Sequence, residues 1–318
     1  MAKRIIILAT TKKGFLTLKS ILERPDYKNY INYVITEREK GVLKDFSYDI
    51  EELCKLKNIP CILKNEFERK FNKYNLKNFV LIAIGWKWII DHPEVYIIHD
   101  SILPKYRGFA PLVNMLINGE KEIGASLIKG TKDFDRGEII LQKSISIEYP
   151  IKINDAIEKI ASIYVDLSNF LIDSIISNKE IRGMPQNEKL ASYSVWRDEY
   201  DYFINWSWSS DKIIRFIDAV SFPYKGAASY INGNKMVRIL SAEKYPDLTI
   251  ESREDHIGKI LFFDRGCPVV ICGSGLIKIT SILDDKTREP LTIKRLKTRF
   301  TNYKFGQDGE YNDLQNPV

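Results

Sequence analysis

Histidine is scarce in this chain, with three among 318 residues. Cysteine is nearly as rare. Cys54, Cys61, Cys267 and Cys272 lack the two-residue gap of a zinc knuckle or a redox motif, and no histidine stands beside them. A resident metal is therefore not expected. The phosphate-binding pattern G-x-G-x-x-G is missing, so a dinucleotide cofactor is not indicated. No run approaches the ~20 uninterrupted apolar residues of a membrane span. The opening MAKRIIILATTKKGF carries two basic residues but only a short apolar stretch and no small-residue cleavage site, so it reads as a first β-strand and not an export signal. The expected setting is cytoplasmic, without a membrane partner. Internal repeats and low-complexity tracts are also lacking.

What remains is a chain that is 44% hydrophobic and long enough for two domains. Its net charge of +6 is a small excess on a heavily charged surface. That balance permits nucleic-acid binding without arguing for it, and nucleic acid is not the expected partner.

The first half alternates strand-like and helix-like segments. Arg4–Ala9, Tyr30–Thr36, Ile59–Leu63, Phe79–Gly85 and Val95–His99 read as strands, with helical spacing in Gly14–Leu22 and Tyr48–Leu56. A βαβα succession predicts an α/β fold: a Rossmann-like, mostly parallel sheet with helices on both faces. A long amphipathic helix between residues 150 and 180 closes this domain, which is assigned to residues 1–182. Residues 183–205 are polar and aromatic with few apolar repeats and read as an ordered linker. In residues 206–318 a helix near Ser210–Ser221 precedes short strands separated by Gly, Asn and Asp turns, the pattern of a smaller, OB-like β-barrel domain. That β-rich domain offers a surface for a homodimer.

The chemistry concentrates between Tyr96 and Gln142. His99 ends a predicted parallel strand, the end at which open α/β sheets place their ligands. A loop stiffened by Pro104 and released by Gly108 follows it, and a second polar loop, Gly130 to Gly137, carries Thr131, Lys132, Asp133 and Asp135. Thr10, Thr11 and Lys12 join the first strand to the first helix, where backbone N–H groups and the helix dipole favour phosphate.

The pattern His-x-Ser-x-Leu-Pro-x-x-x-Gly from His99, the helix text LVNMLINGE and a loop containing Asp-x-Gly resemble the folate-dependent formyltransferase family. The resemblance runs in order through residues 4–145. Ile204–Ser207 and Phe222–Ala227 resemble the start of that family's C-terminal domain. The family sets an Asn-x-His and a downstream Asp at its catalytic centre. His99 and Asp135 match the second and third, with Asp133 as the rival for the Asp; Ile97 stands where the Asn is expected, and its side chain has no donor or acceptor. Asn114 and Ser101 are candidate substitute donors.

The resemblance implies 10-formyl-tetrahydrofolate as co-substrate, with Trp86, Trp88, Ile90, Leu103, Thr131, Lys132 and Asp133 toward the folate. It places Thr10, Thr11, Lys12 and Arg107 toward the acceptor. Formyl transfer requires an uncharged amine as nucleophile, a donor for the oxygen that becomes negative, and a group to take the amine's proton. His99 and Asp135 are suited to those roles. Three acceptors compete. The stretch Thr36–Asp45 lacks the clustered basic residues expected for transfer RNA, and a glycinamide ribonucleotide enzyme leaves the second domain unexplained. The HDSILPKYRGFAPL wording most resembles enzymes acting on nucleotide-linked 4-amino-4,6-dideoxy sugars for surface glycans. A folate-binding relative with hydrolytic or lost transferase activity is the alternative of a different class.

Overall fold

The computed structural model describes residues 4–70 and 76–302; the ends of the expected domains, at residues 1–3 and 303–318, and the stretch 71–75 lie outside the described residues. The chain forms two compact units. The first comprises Met1–Leu112, Lys121–Ile147 and Asp155–Trp196, and the second Val113–Glu120, Glu148–Asn154 and Arg197–Val318.

In the first unit, strands β1 (Arg4–Ala9), β2 (Ile31–Thr36), β3 (Cys61–Leu63), β4 (Phe79–Ile84), β5 (Val95–His99), β7 (Glu122–Lys129) and β8 (Ile139–Ser146) form one sheet in the order β3-β2-β1-β4-β5-β7-β8. A two-residue strand β6 (Arg107–Gly108) pairs with β9 (Tyr193–Ser194) apart from it. The five strands from β3 to β5 run parallel, whereas β7 and β8 are antiparallel additions. The aliphatic runs of β1 and β4 are buried at every position but Arg4, as strands covered on both faces must be. Helices α1 (Thr11–Glu23), α2 (Pro25–Lys28), α3 (Ser47–Lys57), α4 (Lys64–Lys70) and α6 (Ile153–Ile176) accompany these strands, and α5 (Pro111–Asn118), between β6 and β7 in the chain, is counted from Val113 onward with the second unit. Helix α1 buries Leu18, Ile21 and Leu22 on one stripe and stops at Arg24, before Pro25. In α6 the spacing of Ile157, Ile160, Tyr164, Leu167, Leu171 and Ile175 makes the buried face, each large aliphatic contributing about 2 kcal/mol.

The predicted α/β architecture is observed. Helix α4 was not legible, because KNEFERK offers only Phe67 as a buried residue. Met184, in the expected linker, exchanges both backbone hydrogen bonds with Ile139 at 2.8 Å, so the stretch up to Trp196 lies within the first unit.

The second unit has helices α7 (Ser210–Ala219) and α8 (Arg253–His256). Its strands are β10 (Ala227–Ile231), β11 (Lys235–Tyr245), β12 (Ile260–Asp264), β13 (Cys267–Ile271), β14 (Leu276–Asp284) and β15 (Phe300–Thr301). The antiparallel order is β12-β13-β14-β11-β10-β15. A bridge between Lys259 and Arg299 brings the two edges together, giving the predicted barrel-like domain. Trp206 is buried against Phe300 and donates to Ser229 Oγ at 3.1 Å, whereas Tyr200 stays exposed.

Candidate active site

Strand order reverses between β1 and β4, since β2 and β3 lie on one side and β5 on the other. Such a switch point opens a crevice at the carboxyl ends of the strands. Its rim is built from Thr10 and Thr11 after β1, Gly85 and Trp86 after β4, and His99 at the end of β5.

His99 is 7% exposed. Its Nε2 lies 2.8 Å from the Tyr106 carbonyl, which can only accept, so Nε2 carries a proton. The other nitrogen, Nδ1, faces Asp135 Oδ1 at 3.4 Å, longer than a hydrogen bond but within ion-pair range. Asp135 Oδ2 takes the Gly108 backbone N–H at 2.8 Å. Each carboxylate oxygen thus has its own direction, one anchored to the backbone and one open toward the imidazole.

Two glycines make that approach feasible. Gly108 has φ +96°, and a Cβ there would lie 2.5 Å from the Ser194 carbonyl oxygen. At Gly137, two residues after Asp135, a Cβ would lie 1.6 Å from the Lys129 carbonyl oxygen. Asp135 itself has φ +54°, a left-handed conformation that Asp tolerates better than most residues. Asp133, the rival carboxylate, is exposed, as are Thr131 and Lys132; the Thr131 hydroxyl bonds the Asp133 carbonyl at 2.9 Å.

Ile97 lies two positions before His99 on β5 and is half-buried, packed like Trp86 and Ile90 against the core cluster that includes Leu81 and Val95. Of the two candidate substitute donors, Ser101 has given its hydroxyl hydrogen elsewhere, and Asn114 is engaged through its side-chain oxygen. Ser101 is buried and donates to the Lys105 carbonyl at 2.6 Å, and Asn114 Oδ1 accepts from Arg197 at 2.6 Å. Trp86 and Trp88 meet edge to face at 4.8 Å, and the Trp86 indole N–H is buried without a partner among the described residues. An unpaired donor of this kind suits a ligand carbonyl or ring nitrogen. Leu103 is buried, its N–H on Ser126 Oγ at 3.0 Å.

Around the β1 turn, the Thr10 hydroxyl donates to the Gly85 carbonyl, and Thr11 Oγ1 is buried without a partner among the described residues. Lys12 turns away to Glu158 at 2.6 Å. It is Lys13 that points inward, onto Asp100, the residue after His99; Tyr164 of α6 donates to the same carboxylate. Burial draws the Lys13 ammonium down to about 7, against the opposing pull of Glu39. Sequence reading missed this trio, because Lys13 and Lys12 are indistinguishable until helix α1 fixes which of them faces the sheet.

Arg107, expected at the acceptor, has another task. It is fully buried, and all five of its N–H groups are taken: Nε and Nη2 by Gln186 Oε1 at 3.0 and 2.8 Å, Nη1 and Nη2 by Glu188 at 2.9 and 2.8 Å, and Nη1 again by the Tyr193 hydroxyl at 3.2 Å. A guanidinium so satisfied has no donor left for a phosphate. Gln186 and Glu188 were not foreseen as site residues, since polar residues in an apparent linker carry no periodic signal.

Two family models match the chain: formyl transferase over residues 77–165 and the formyl transferase C-terminal domain over residues 198–299. The first spans both His99 and Asp135. The chain belongs to the formyl transferase family. Among similar sequences, the methionyl-tRNA formyltransferase of Thermotoga neapolitana is 28% identical over 236 residues, covering 70% of this chain and 72% of that one. Among solved structures, the N-formyltransferase from Helicobacter canadensis, in complex with folinic acid and dTDP-3-aminofucose, aligns with a TM-score of 0.63 at 19% identity over 87% of this chain and 99% of that one. WlaRD, a sugar 3N-formyl transferase, aligns with a TM-score of 0.62 at 20% identity over 88% and 98%. This family member thus keeps the His and Asp of the resemblance and departs from it at Ile97. Among the described residues no group of His, Cys, Asp and Glu is arranged to hold a metal, and no helix is long and apolar enough to cross a membrane.

Proposed function

We propose that the protein transfers the formyl group of 10-formyl-tetrahydrofolate to the amine of a nucleotide-linked 4-amino-4,6-dideoxy sugar, in the cytoplasm, for surface glycan synthesis. The observation that carries the reading is the His99–Asp135 pair at the switch-point crevice of a formyl transferase fold. Because Nε2–H is committed to Tyr106, the Nδ1 side of the imidazole does the chemistry. The co-substrate supplies an activated formyl carbon. As the amine attacks it, His99 Nδ1–H donates to the oxygen that becomes negative, a role whose removal elsewhere costs about 3 kcal/mol of barrier. Asp135 stabilises the charged imidazole and helps draw off the proton the amine loses. That proton returns to the folate nitrogen as the carbon–nitrogen bond breaks, so tetrahydrofolate and the formamide leave in balance. The aromatic turn at Trp86, Trp88 and Ile90, with Leu103 and the loop of Thr131, Lys132 and Asp133, holds the folate. Thr10 and Thr11 take the acceptor side, joined by Lys13 in place of Lys12.

The aminosugar reading is supported by the HDSILPKYRGFAPL segment and by fold neighbours described as sugar formyltransferases. A methionyl-tRNA acceptor is the second reading, favoured by sequence relatives of that name and by the exposed basic run Lys294, Arg295 and Lys297. The test is to incubate the purified chain with 10-formyl-tetrahydrofolate and, separately, dTDP- and UDP-linked 3-amino and 4-amino dideoxysugars and charged initiator tRNA. Mass spectrometry then looks for the added formyl group. Gain on a 4-amino sugar is expected. Gain on a 3-amino sugar alone corrects the position of the amine. Formylated tRNA with unmodified sugars overturns the sugar reading, and deformylated folate without any modified acceptor favours a hydrolase.

A further inference from the structure

We propose that Gln186 is a positioning residue for the site, holding the backbone of the Asp135 loop so that its carboxylate stays on His99. Its side-chain amide uses its whole hydrogen-bonding capacity. Nε2 donates to the carbonyls of Asp135 and Gly137 at 2.7 and 2.8 Å, and Oε1 accepts twice from Arg107. The contacts close a ring: Gln186 bonds the Asp135 carbonyl, the Asp135 carboxylate bonds the Gly108 N–H, and Arg107, next to Gly108 in the chain, bonds Gln186. Tyr106, adjoining Arg107, receives the imidazole Nε2–H, so one ring registers both members of the pair.

Elsewhere the loop is held by side chains, Phe134 against the Phe109 ring at 5.4 Å and Arg136 to the Tyr193 hydroxyl at 3.1 Å, while Gln186 holds its backbone at Asp135 and Gly137. Thr131, Lys132, Asp133 and Phe134 are exposed, while Asp135 adopts a left-handed backbone at φ +54°. Such a conformation persists where surrounding contacts over-determine it. Glutamine is the residue this geometry demands. Glutamate would serve Arg107 equally well but would set a carboxylate oxygen against two carbonyl oxygens, and a hydrocarbon would leave both carbonyls and the guanidinium unanswered.

The catalytic part of this inference rests on the formyl-transfer reading, so the experiment carries a readout independent of it. Gln186→Met and Gln186→Glu are prepared in the full chain and in an Asp135→Asn background. Rates are measured with 10-formyl-tetrahydrofolate and dTDP-4-amino-4,6-dideoxyglucose, and the Gly108 amide is followed by NMR. Both single variants are expected to lower kcat between about tenfold and 100-fold, the scale of a misplacement near one ångström, with KM for the folate within twofold. In the Asp135→Asn background Gln186→Met should add no further loss, as one residue acting through the other requires. The Gly108 amide should shift and exchange at least tenfold faster. Full additivity, or an unmoved Gly108 amide, overturns the proposal. If the parent protein does not formylate this sugar, the substrate reading fails while the Gly108 amide still decides the positioning role. Gln186→Glu keeps the Arg107 contact and guards against a folding failure of the Met variant.

Discussion

The Asp135 carboxylate splits its two oxygens between the Gly108 N–H, at 2.8 Å, and His99 Nδ1, at 3.4 Å. The shorter contact fixes the group, and the longer one leaves it free to respond to charge on the imidazole. Gly108 is therefore as much a part of the pair as either side chain.

Gly108→Ala should accordingly damage both stability and rate. Its Cβ would meet the Ser194 carbonyl oxygen at 2.5 Å, where backbone must move, and φ +96° strains any other residue. We expect about 2 kcal/mol of lost stability in urea titration, with formyl transfer falling further than stability alone explains. A variant with parental midpoint and parental rate refutes this.

At position 99 the two amide substitutions separate the nitrogens. Asparagine sets its amide near the Nδ1 position, and glutamine sets its amide near Nε2. Since Nε2 is bonded to Tyr106, His99→Gln should preserve the fold and lose about 100-fold or more in kcat. His99→Asn should retain more of the rate than His99→Gln. The reverse ranking would move the chemistry to Nε2.

Replacing Ile97 with Asn tests the departure from the family. The site is half-buried against the core cluster that includes Leu81 and Val95, so the polar amide should cost about 1–2 kcal/mol in thermal or urea unfolding. If the amide reaches the developing oxygen, kcat rises by about tenfold or more, a gain of one donor. An unchanged or lowered rate would show that the oxygen already has its second donor elsewhere.

Arg107 offers a stability test, read from unfolding and not from turnover. Arg107→Lys retains the charge but supplies a single point donor where a planar fork meets Gln186 and Glu188. We expect about 2 kcal/mol of destabilisation, read as a lower urea midpoint at constant m-value. No change would mean that the buried fork contributes nothing net.

In the second unit, Lys235 and the backbone N–H groups of Thr287 and Lys286 hold the Asp284 carboxyl down at about 2. A depressed carboxylate contributes stability above its unfolded value near 3.8 and loses it as pH falls toward the folded value. The melting temperature of the parent should drop between pH 4 and about 2 more steeply than that of Asp284→Asn. Parallel curves would remove Asp284 from the acid response.

Much of the fold was legible because aliphatic runs such as Phe79–Ile84 and the 3.6-residue pattern of α6 are local consequences of which face must be buried. His99 was legible for the same reason, as a titratable residue ending such a run. Helix α4 was not, because Phe67 alone sets no period. In the segment 183–196, β9 pairs with a strand more than eighty residues earlier, and its exposed Tyr193 and Trp196 imitate a linker.

By itself the sequence determined the parallel sheet, the barrel-like second unit, the family, and the pair His99 and Asp135 with Ile97 out of pattern. These follow from periodicity and from an ordered series of residues along the chain. Only the tertiary structure decided that Lys13 and not Lys12 faces Asp100, that Arg107 is consumed by Gln186 and Glu188, and that Nδ1 is the nitrogen left to Asp135. Those assignments depend on which hydrogen-bonding groups meet across long stretches of chain, and a buried donor commits itself only when its partner arrives.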